Sequence, residues 1–346
     1  MKKYKNHLKS SLLLIFCIFL IAGCSKKTPN EPISKSELLM GTVVTVTIYD
    51  SSDESILDKV FLKVKELESN LSVNENGTIV DKINENAGIS PVKVDEETFA
   101  VIEKGLEYSN ISNGLFDITI GPLVKLWSIG LPEAKLPSES EISSVLPLIN
   151  RNKLILDKEN LTVYLEDKNM QIDLGGIAKG FTADVISELL SENNVNSAII
   201  NLGGNIFAKG LKVDGSKWRI GIQNPNSDRG DTVGTVYIEN QSVVTSGTYE
   251  RYLEQDGIKY HHILSPSTGY PYENNIAGIT IISNHSVDGD GLSTSVFAMG
   301  IEDGLKFVNN YEGVDAIFVT NDNKLYLSDG IKDNFKLTND DFIIAN

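Results

Sequence analysis

The residues able to do chemistry gather in a few short polar clusters. Tyr260-His261-His262-Ile-Leu-Ser-Pro-Ser-Thr-Gly269 sets two histidines side by side in a turn rich in Pro, Gly and hydroxyls. Few structural needs call for adjacent imidazoles there, whereas proton transfer near neutral pH does. Asp173-Leu-Gly-Gly-Ile-Ala-Lys-Gly180 reads as a strand end, a glycine turn and a helix start. Glycines let a ligand approach the backbone, a helix N-terminus favours anionic groups, and Lys179 in the first turn can add a point charge to a phosphate. The spacing is not that of a P-loop, and a tight turn with a solvated lysine would look the same. Asp290 and Thr294 stand four apart, one above the other on a helix face. Carboxylate and hydroxyl are hard oxygen donors, suited to Mg²⁺ and poor for zinc. An Asp at a helix start with a Thr bonding back to its own backbone is the structural alternative.

Other segments narrow the choice. Asp288-Gly-Asp-Gly291 looks like a calcium loop, but Leu292 occupies the next ligand position and no Glu closes it. Thr245-Ser-Gly-Thr-Tyr-Glu-Arg251 follows the strand-like Ser242-Val-Val244, and its small hydroxyls suit a ligand wall or any polar turn. Asn201-Leu-Gly-Gly-Asn205 is a second glycine pair after a buried strand, and His285 reads as surface. HExxH, CxxC and GxSxG are absent, which removes support for zinc peptidase, thiol-redox and serine-hydrolase chemistry.

The elements that must carry these clusters follow from hydrophobic spacing. Thr42–Tyr49 alternates β-branched residues as a half-buried strand does. Ile56, Leu57, Val60, Val64 and Leu67 keep helical spacing behind a Ser52/Asp53 cap, and Phe99, Ile102 and Leu106 mark another helix. A third is expected to begin at the Gly175-Gly176 pair and run to Leu190, and a late one carries the stripe Leu292, Val296 and Met299. Residues 198–202, 218–223, 235–238, 276–282, 316–320 and 324–327 read as strands. Strands and helices mix without regular βα alternation, which favours α+β over a doubly wound sheet, and the length allows one big domain or two lobes.

The start of the chain addresses the compartment. Lys2, Lys3, Lys5 and Lys9 precede an apolar run, Leu12–Ile21, too short for a comfortable membrane span. It ends in Leu20-Ile-Ala-Gly-Cys24, which resembles a lipoprotein signal. Residues 1–23 are expected to be removed, Cys24 to be acylated, and residues 24–36 to form a flexible tether at the extracytoplasmic face. Cys17 lies in the discarded segment, so the processed chain has no pair to oxidise. The formal charge is −16, and removing four lysines and no acid makes it −20. Such a field disfavours nucleic acid and anionic lipid, and a phosphate-rich ligand would need a metal ion or local lysine to offset it.

Taken together, the clusters resemble the FAD:protein FMN transferases, the ApbE family. The resemblance runs in order through Met40-Gly-Thr42, Phe116-Asp-Ile-Thr-Ile-Gly-Pro-Leu123 with Trp127, Asp173–Gly180, Gly203-Gly204, Thr245–Arg251, His262-Ile-x-x-Pro266-x-x-Gly269 and Asp290-x-x-Ser-Thr294. It implies a single large α+β domain of mixed and antiparallel sheets packed with helices over residues 37–346, and an enzyme that binds FAD beside Mg²⁺, passes FMN to a Thr or Ser hydroxyl of an extracytoplasmic acceptor protein and releases AMP. By the same resemblance Asp290, Thr294 and the Gly176 carbonyl are metal ligands, Lys179 contacts the diphosphate, His262 is the base and Met40 lies against the isoalloxazine. Asp117, Thr245, Ser246, Gly247 and Glu250 match flavin-site positions. Asn74 stands where many members carry Tyr or Phe. An amide stacks on a flat ring less well than an aromatic does, which leaves open whether the chain also hydrolyses FAD to FMN and AMP; a non-catalytic lipoprotein that binds flavin or another nucleotide is a separate alternative. Ser293 and Thr294 superficially look like an acceptor motif, but the apolar stripe makes that segment a partly buried helix.

Overall fold

The chain, described for residues 31–227 and 230–346 by a computed structural model, enters on a hairpin. Strands β1 (Ile33–Leu39) and β2 (Thr42–Ile48) pair antiparallel through a two-residue turn in which Met40 and Gly41 have φ of 54° and 69°. Two successive left-handed residues match the twist of the flanking strands, and Gly41 meets that demand without strain. Residues 33–36, expected as the end of the tether, are therefore strand; the alternation Ile33, Ser34, Lys35, Ser36 is half-polar because Ser34 and Ser36 pair their hydroxyls with Thr47 and Thr45 across the ladder, each at 2.8 Å. Cys24, the signal and most of the tether lie outside the described residues.

Helix α1 (Glu54–Leu71) follows, capped by Asp53, whose carboxylate accepts from Ser55 N at 3.0 Å. Then come α2 (Ile79–Glu85), β3 (Val92–Lys93), α3 (Glu96–Ile111), α4 (Gly121–Trp127), α5 (Glu139–Val145), β4 (Leu154–Asp157) and β5 (Thr162–Leu165). Next are α6 (Ala178–Glu192), β6 (Ala198–Leu202), β7 (Asn205–Lys209), β8 (Trp218–Gln223), β9 (Thr232–Ile238), β10 (Gln241–Gly247), β11 (Tyr252–Gln255) and β12 (Ile258–His261). The chain ends with β13 (Ile276–Ser283), α7 (Ser286–Val308, broken at Gly300 where φ is 80°), β14 (Val314–Thr320), β15 (Lys324–Leu327), β16 (Phe335–Leu337) and β17 (Ile343–Ile344).

Nine strands form the main sheet in the order β1-β2-β6-β7-β10-β13-β14-β15-β17, antiparallel at every junction except the parallel β15–β17 pair. This is the α+β arrangement expected. Every residue of β13 is buried, because both faces are covered. Ile279 and Ile281 pack with Leu292, Val296 and Phe297 of α7, while Ile282 packs with Trp218, Val236 and Phe335 of the small sheet β16-β9-β8. The remaining sheets are β3-β5-β4 and the two-stranded ribbon β11–β12.

The two helices that hold the candidate site touch closely where α6 begins. A Cβ at Gly180 would lie 2.3 Å from the Ser286 carbonyl oxygen, and that oxygen belongs to backbone that cannot swing away. Gly180→Ala is expected to lose about 1–3 kcal/mol of stability by overpacking, read as a lower midpoint in denaturant unfolding with an unchanged slope. An unchanged midpoint would mean that α6 and α7 are not packed as described.

Every expected strand is present, three of them one to three residues longer. The third expected helix begins at Ala178, two residues later than its glycine pair, because Gly175 and Gly176 are needed for the turn that precedes it. Thr245, Ser246 and Gly247 continue β10; the turn starts at Thr248. Helices α2, α4 and α5 have seven residues each, too few for a helical period to show in the sequence.

Candidate functional site

The loop Asp173–Gly176 is fastened from both sides. Ile118 O accepts from Asp173 N at 2.8 Å, and the Asn84 side chain grips Ile172, accepting from its N at 2.8 Å and donating to its O at 3.1 Å. The Asp173 carboxylate caps its own turn by accepting from Gly175 N at 2.7 Å. Burial raises its pKa, against the pull of that hydrogen bond and of the Arg251 and Lys179 charges. Lys179 Nζ bends back to Gly175 O at 3.4 Å, so the ammonium stays over the glycine turn.

From this turn α6 runs against α7. Asp290, only 5% exposed, accepts from Gly180 N at 2.6 Å through one oxygen and from Asn205 Nδ2 at 3.1 Å through the other. The Gly180 N–H is thereby turned to Asp290, not back to the Gly176 carbonyl. Asp290 is the fifth residue of α7, not its cap, and on α7 Ser293 and Ser295 donate back to Asp290 O and Gly291 O at 3.0 and 2.7 Å. Among the described residues no such bond ties down the half-buried Thr294 hydroxyl between them. The structural alternative for this pair is therefore not realised. Ser293 is buried and shares its hydroxyl with Ser246 Oγ at 2.8 Å, the opposite of a displayed acceptor.

This donor set suits Mg²⁺. A carboxylate with lone pairs to spare, an unengaged hydroxyl and a backbone carbonyl are hard oxygens. Among the described residues no three of His, Cys, Asp and Glu converge on a metal site. Gly176, Asp290 and Thr294 are the residues that would hold the ion.

The histidine loop is built by different contacts. Trp127, fully buried, donates its indole N–H to Gly269 O at 2.8 Å, and its ring lies against Tyr260 and Tyr270. His261 turns inward: its Nε2 donates to Tyr272 O at 2.9 Å, Ile263 N donates to its Nδ1 at 3.3 Å, and its ring meets Phe297 edge-on. Both nitrogens are used, so His261 is structural, and only one of the adjacent pair remains for catalysis. His262 turns the other way. Its Nδ1 lies 3.2 Å from Arg251 O, and a carbonyl only accepts, so Nδ1 carries the proton and Nε2 keeps its lone pair. Burial lowers the His262 pKa to about 3, helped by the Arg251, His261 and Lys179 charges. A cleft of about 1440 Å³ adjoins the ribbon, lined by Thr248, Glu250, Tyr260 and His261 among others; Gly176, Asp290 and Thr294 are not in its wall.

The other expected residues are scattered around this centre. Met40, half-buried in the first hairpin turn, donates its N–H to the Glu68 carboxylate. Asn74 is exposed in the α1–α2 loop, which Thr78 Oγ1 ties to Ser72 O at 2.8 Å. Asp117 is buried at 5% exposure with Thr119 N and Oγ1 donating to it at 2.8 and 2.7 Å; burial raises its pKa, and its place is inside a turn. Thr245 shares its hydroxyl with Thr280 at 2.8 Å, Gly247 sits opposite Gly278, and Glu250 is exposed in the turn after β10. His285 is exposed, as expected. The contacts of Asn84 and Asn205, and the part played by Asp184, were not foreseen. Asp184 accepts from Ser286 N and Val287 N at 2.7 and 2.9 Å and so caps α7 from the neighbouring helix, with burial raising its pKa to about 6. The missing cap was the available signal: neither His285 nor Ser286 was expected to begin a helix, and His285 makes no side-chain cap.

Comparison with known proteins gives one consistent picture. A profile described as "ApbE family" matches residues 40–318. A protein of Klebsiella pneumoniae (strain 342) named FAD:protein FMN transferase is 40% identical over 299 residues, 86% of this chain and 92% of that one. Its namesake from Treponema pallidum (strain Nichols) is 33% identical over 349 residues, 96% of each chain. The crystal structure of the ApbE protein from Thermotoga maritima superposes with a TM-score of 0.80 at 31% identity, covering 87% of this chain and 98% of that one.

Proposed function

The chain belongs to the ApbE family, and from that premise we propose that it is a Mg²⁺-dependent flavin transferase moving FMN from FAD to a Thr or Ser hydroxyl of an acceptor protein, with release of AMP. The observation that carries this reading is the His262 contact: Arg251 O accepts a hydrogen bond from Nδ1–H at 3.2 Å, which leaves Nε2 with its lone pair near Lys179. A hydroxyl is a poor nucleophile until a base receives its proton. The acceptor oxygen attacks the FMN phosphorus, its proton passes to Nε2, and the phosphorus–oxygen bond to AMP breaks. Lys179, held over the glycine turn, offsets diphosphate charge in a protein whose own formal charge is −16. Mg²⁺, held by Asp290, Thr294 and the Gly176 carbonyl, would supply electrostatic stabilisation of the charge developing on phosphate oxygens. Met40, Asn74, Asp117, Thr245, Ser246, Gly247 and Glu250 remain the proposed surroundings of the flavin dinucleotide.

We place the enzyme at the extracytoplasmic face of the cell membrane, anchored through acylated Cys24. Among the described residues no helix is long and apolar enough to cross a membrane. Incubation with FAD and Mg²⁺ tests the activity. AMP release that requires an acceptor protein, with FMN becoming covalently attached to it, is the expected result. AMP release at full rate without acceptor would instead identify a hydrolase, the outcome that exposed Asn74 keeps open. Retained yellow colour without AMP would identify a flavin binder.

A further inference from the structure

Asp290 can serve as a ligand only if its carboxylate faces the Gly176 carbonyl and the Thr294 hydroxyl, and its own side chain does not decide that. One carboxylate oxygen is held by the Gly180 backbone N–H at 2.6 Å, and the other is held by a chain of three residues from separate elements. Asn205, 4% exposed at the start of β7, donates Nδ2–H to Asp290 Oδ1 at 3.1 Å. The Asn205 amide is held this way round because its NH₂ faces the acceptor-only Asp290 carboxylate while its Oδ1 accepts from Ser286 Oγ at 2.7 Å; a flipped amide would set its carbonyl against that carboxylate. Ser286 in turn is held by Asp184 of α6, which accepts from Ser286 N at 2.7 Å and Val287 N at 2.9 Å. All the groups are buried or half-buried, where a misplaced polar atom costs most.

We propose that Asn205 is a positioning residue for divalent-cation binding, locked by Ser286 and, through it, by Asp184. The inference rests on the metal site of the flavin-transferase reading, but not on the reaction itself. It makes Asn205→Leu a lesion in cation affinity, since outer-shell partners of ligands typically contribute about 10–100-fold. It makes Ser286→Ala a smaller lesion of the same kind, acting in series through Asn205.

Mn²⁺ binding to the purified protein without flavin, titrated by electron paramagnetic resonance, is the test. Asn205→Leu is expected to weaken Mn²⁺ binding roughly 10–100-fold, Ser286→Ala several-fold, and the double variant no more than Asn205→Leu alone. With FAD present, the apparent KM for Mg²⁺ should rise in Ser286→Ala while kcat at saturating Mg²⁺ stays near the parent value, which a general loss of stability would not produce. Parent affinity in folded Asn205→Leu, or additive losses in the double variant, would overturn the proposal. Should Asn205→Leu not fold, unchanged Mn²⁺ affinity in Ser286→Ala would overturn it equally. A parent protein that binds no Mn²⁺ sinks both the metal site and this inference. One that binds Mn²⁺, shows the expected losses and leaves FAD intact sinks only the flavin reading.

Discussion

Replacing His262 with alanine is expected to leave FAD bound and to lower FMN transfer by ~10²–10⁴-fold, the usual contribution of a positioned base. The side chain carries no ladder hydrogen bond: the strand-end contact to Arg251 O also comes from the His262 backbone N at 3.1 Å, which alanine keeps. The loop should therefore persist, and stopped turnover with retained flavin fluorescence quenching is the measurement. The pH profile gives a second arm. Because the folded imidazole titrates near 3 and the unfolded one near its ordinary value of 6.5, neutral His262 dominates throughout the neutral range. In the free enzyme, kcat/KM should show no acid limb from His262 as pH falls through 6.5. The stability sign is the reverse of a salt-bridged histidine: between those two values the unfolded chain binds the extra proton, so His262 withdraws stability as pH drops through the window. Unchanged turnover in the alanine variant would remove this residue from the mechanism.

The second large effect is expected at Asp290. Asn in its place offers one acceptor where the structure uses two, so its NH₂ must confront either Gly180 N or Asn205 Nδ2 and the only carboxylate of the donor set is gone. Loss of several kcal/mol of transition-state stabilisation, or about 10³-fold in kcat/KM, should follow, and raising Mg²⁺ should not restore it. The unsatisfied donor should also cost about 1–3 kcal/mol of stability, so folding is checked by calorimetry before rates are compared. Retained Mg²⁺-dependent turnover would relocate the metal site.

Much of this arrangement was legible in the residues. The carboxylate and hydroxyl at positions 290 and 294 read by type and spacing either as hard donors or as a capped helix start, and the structure, which brings Asp290 onto α6 from 110 positions away, removes the second of these. Elements with long regular patterns, such as α1 and β2, were readable because one buried face repeats. What was hidden depends on contacts between distant segments. The sequence shows two equivalent histidines; only the partners Tyr272 O and Arg251 O divide them into one structural and one available imidazole. Asn205 looked like the end of a glycine turn and Asp184 like one more polar residue on a helix, since their meaning lies in Asp290 and Ser286, 85 and 102 positions away. The tether was read too long because hydroxyl pairs with Thr45 and Thr47 stabilise a strand whose own composition is polar.

The ribbon β11–β12 pairs with no other strand of the described chain. Two strands without a third hold their shape weakly, and this pair has Arg251 and His262 at its root. Asp290, by contrast, is buried between α6 and α7, two helices packed on the nine-stranded sheet. What steadies the ribbon is side-chain packing: Leu253 and Tyr260 lie against the cluster of buried Trp127, so loss of that indole would loosen the segment that carries Arg251 and His262.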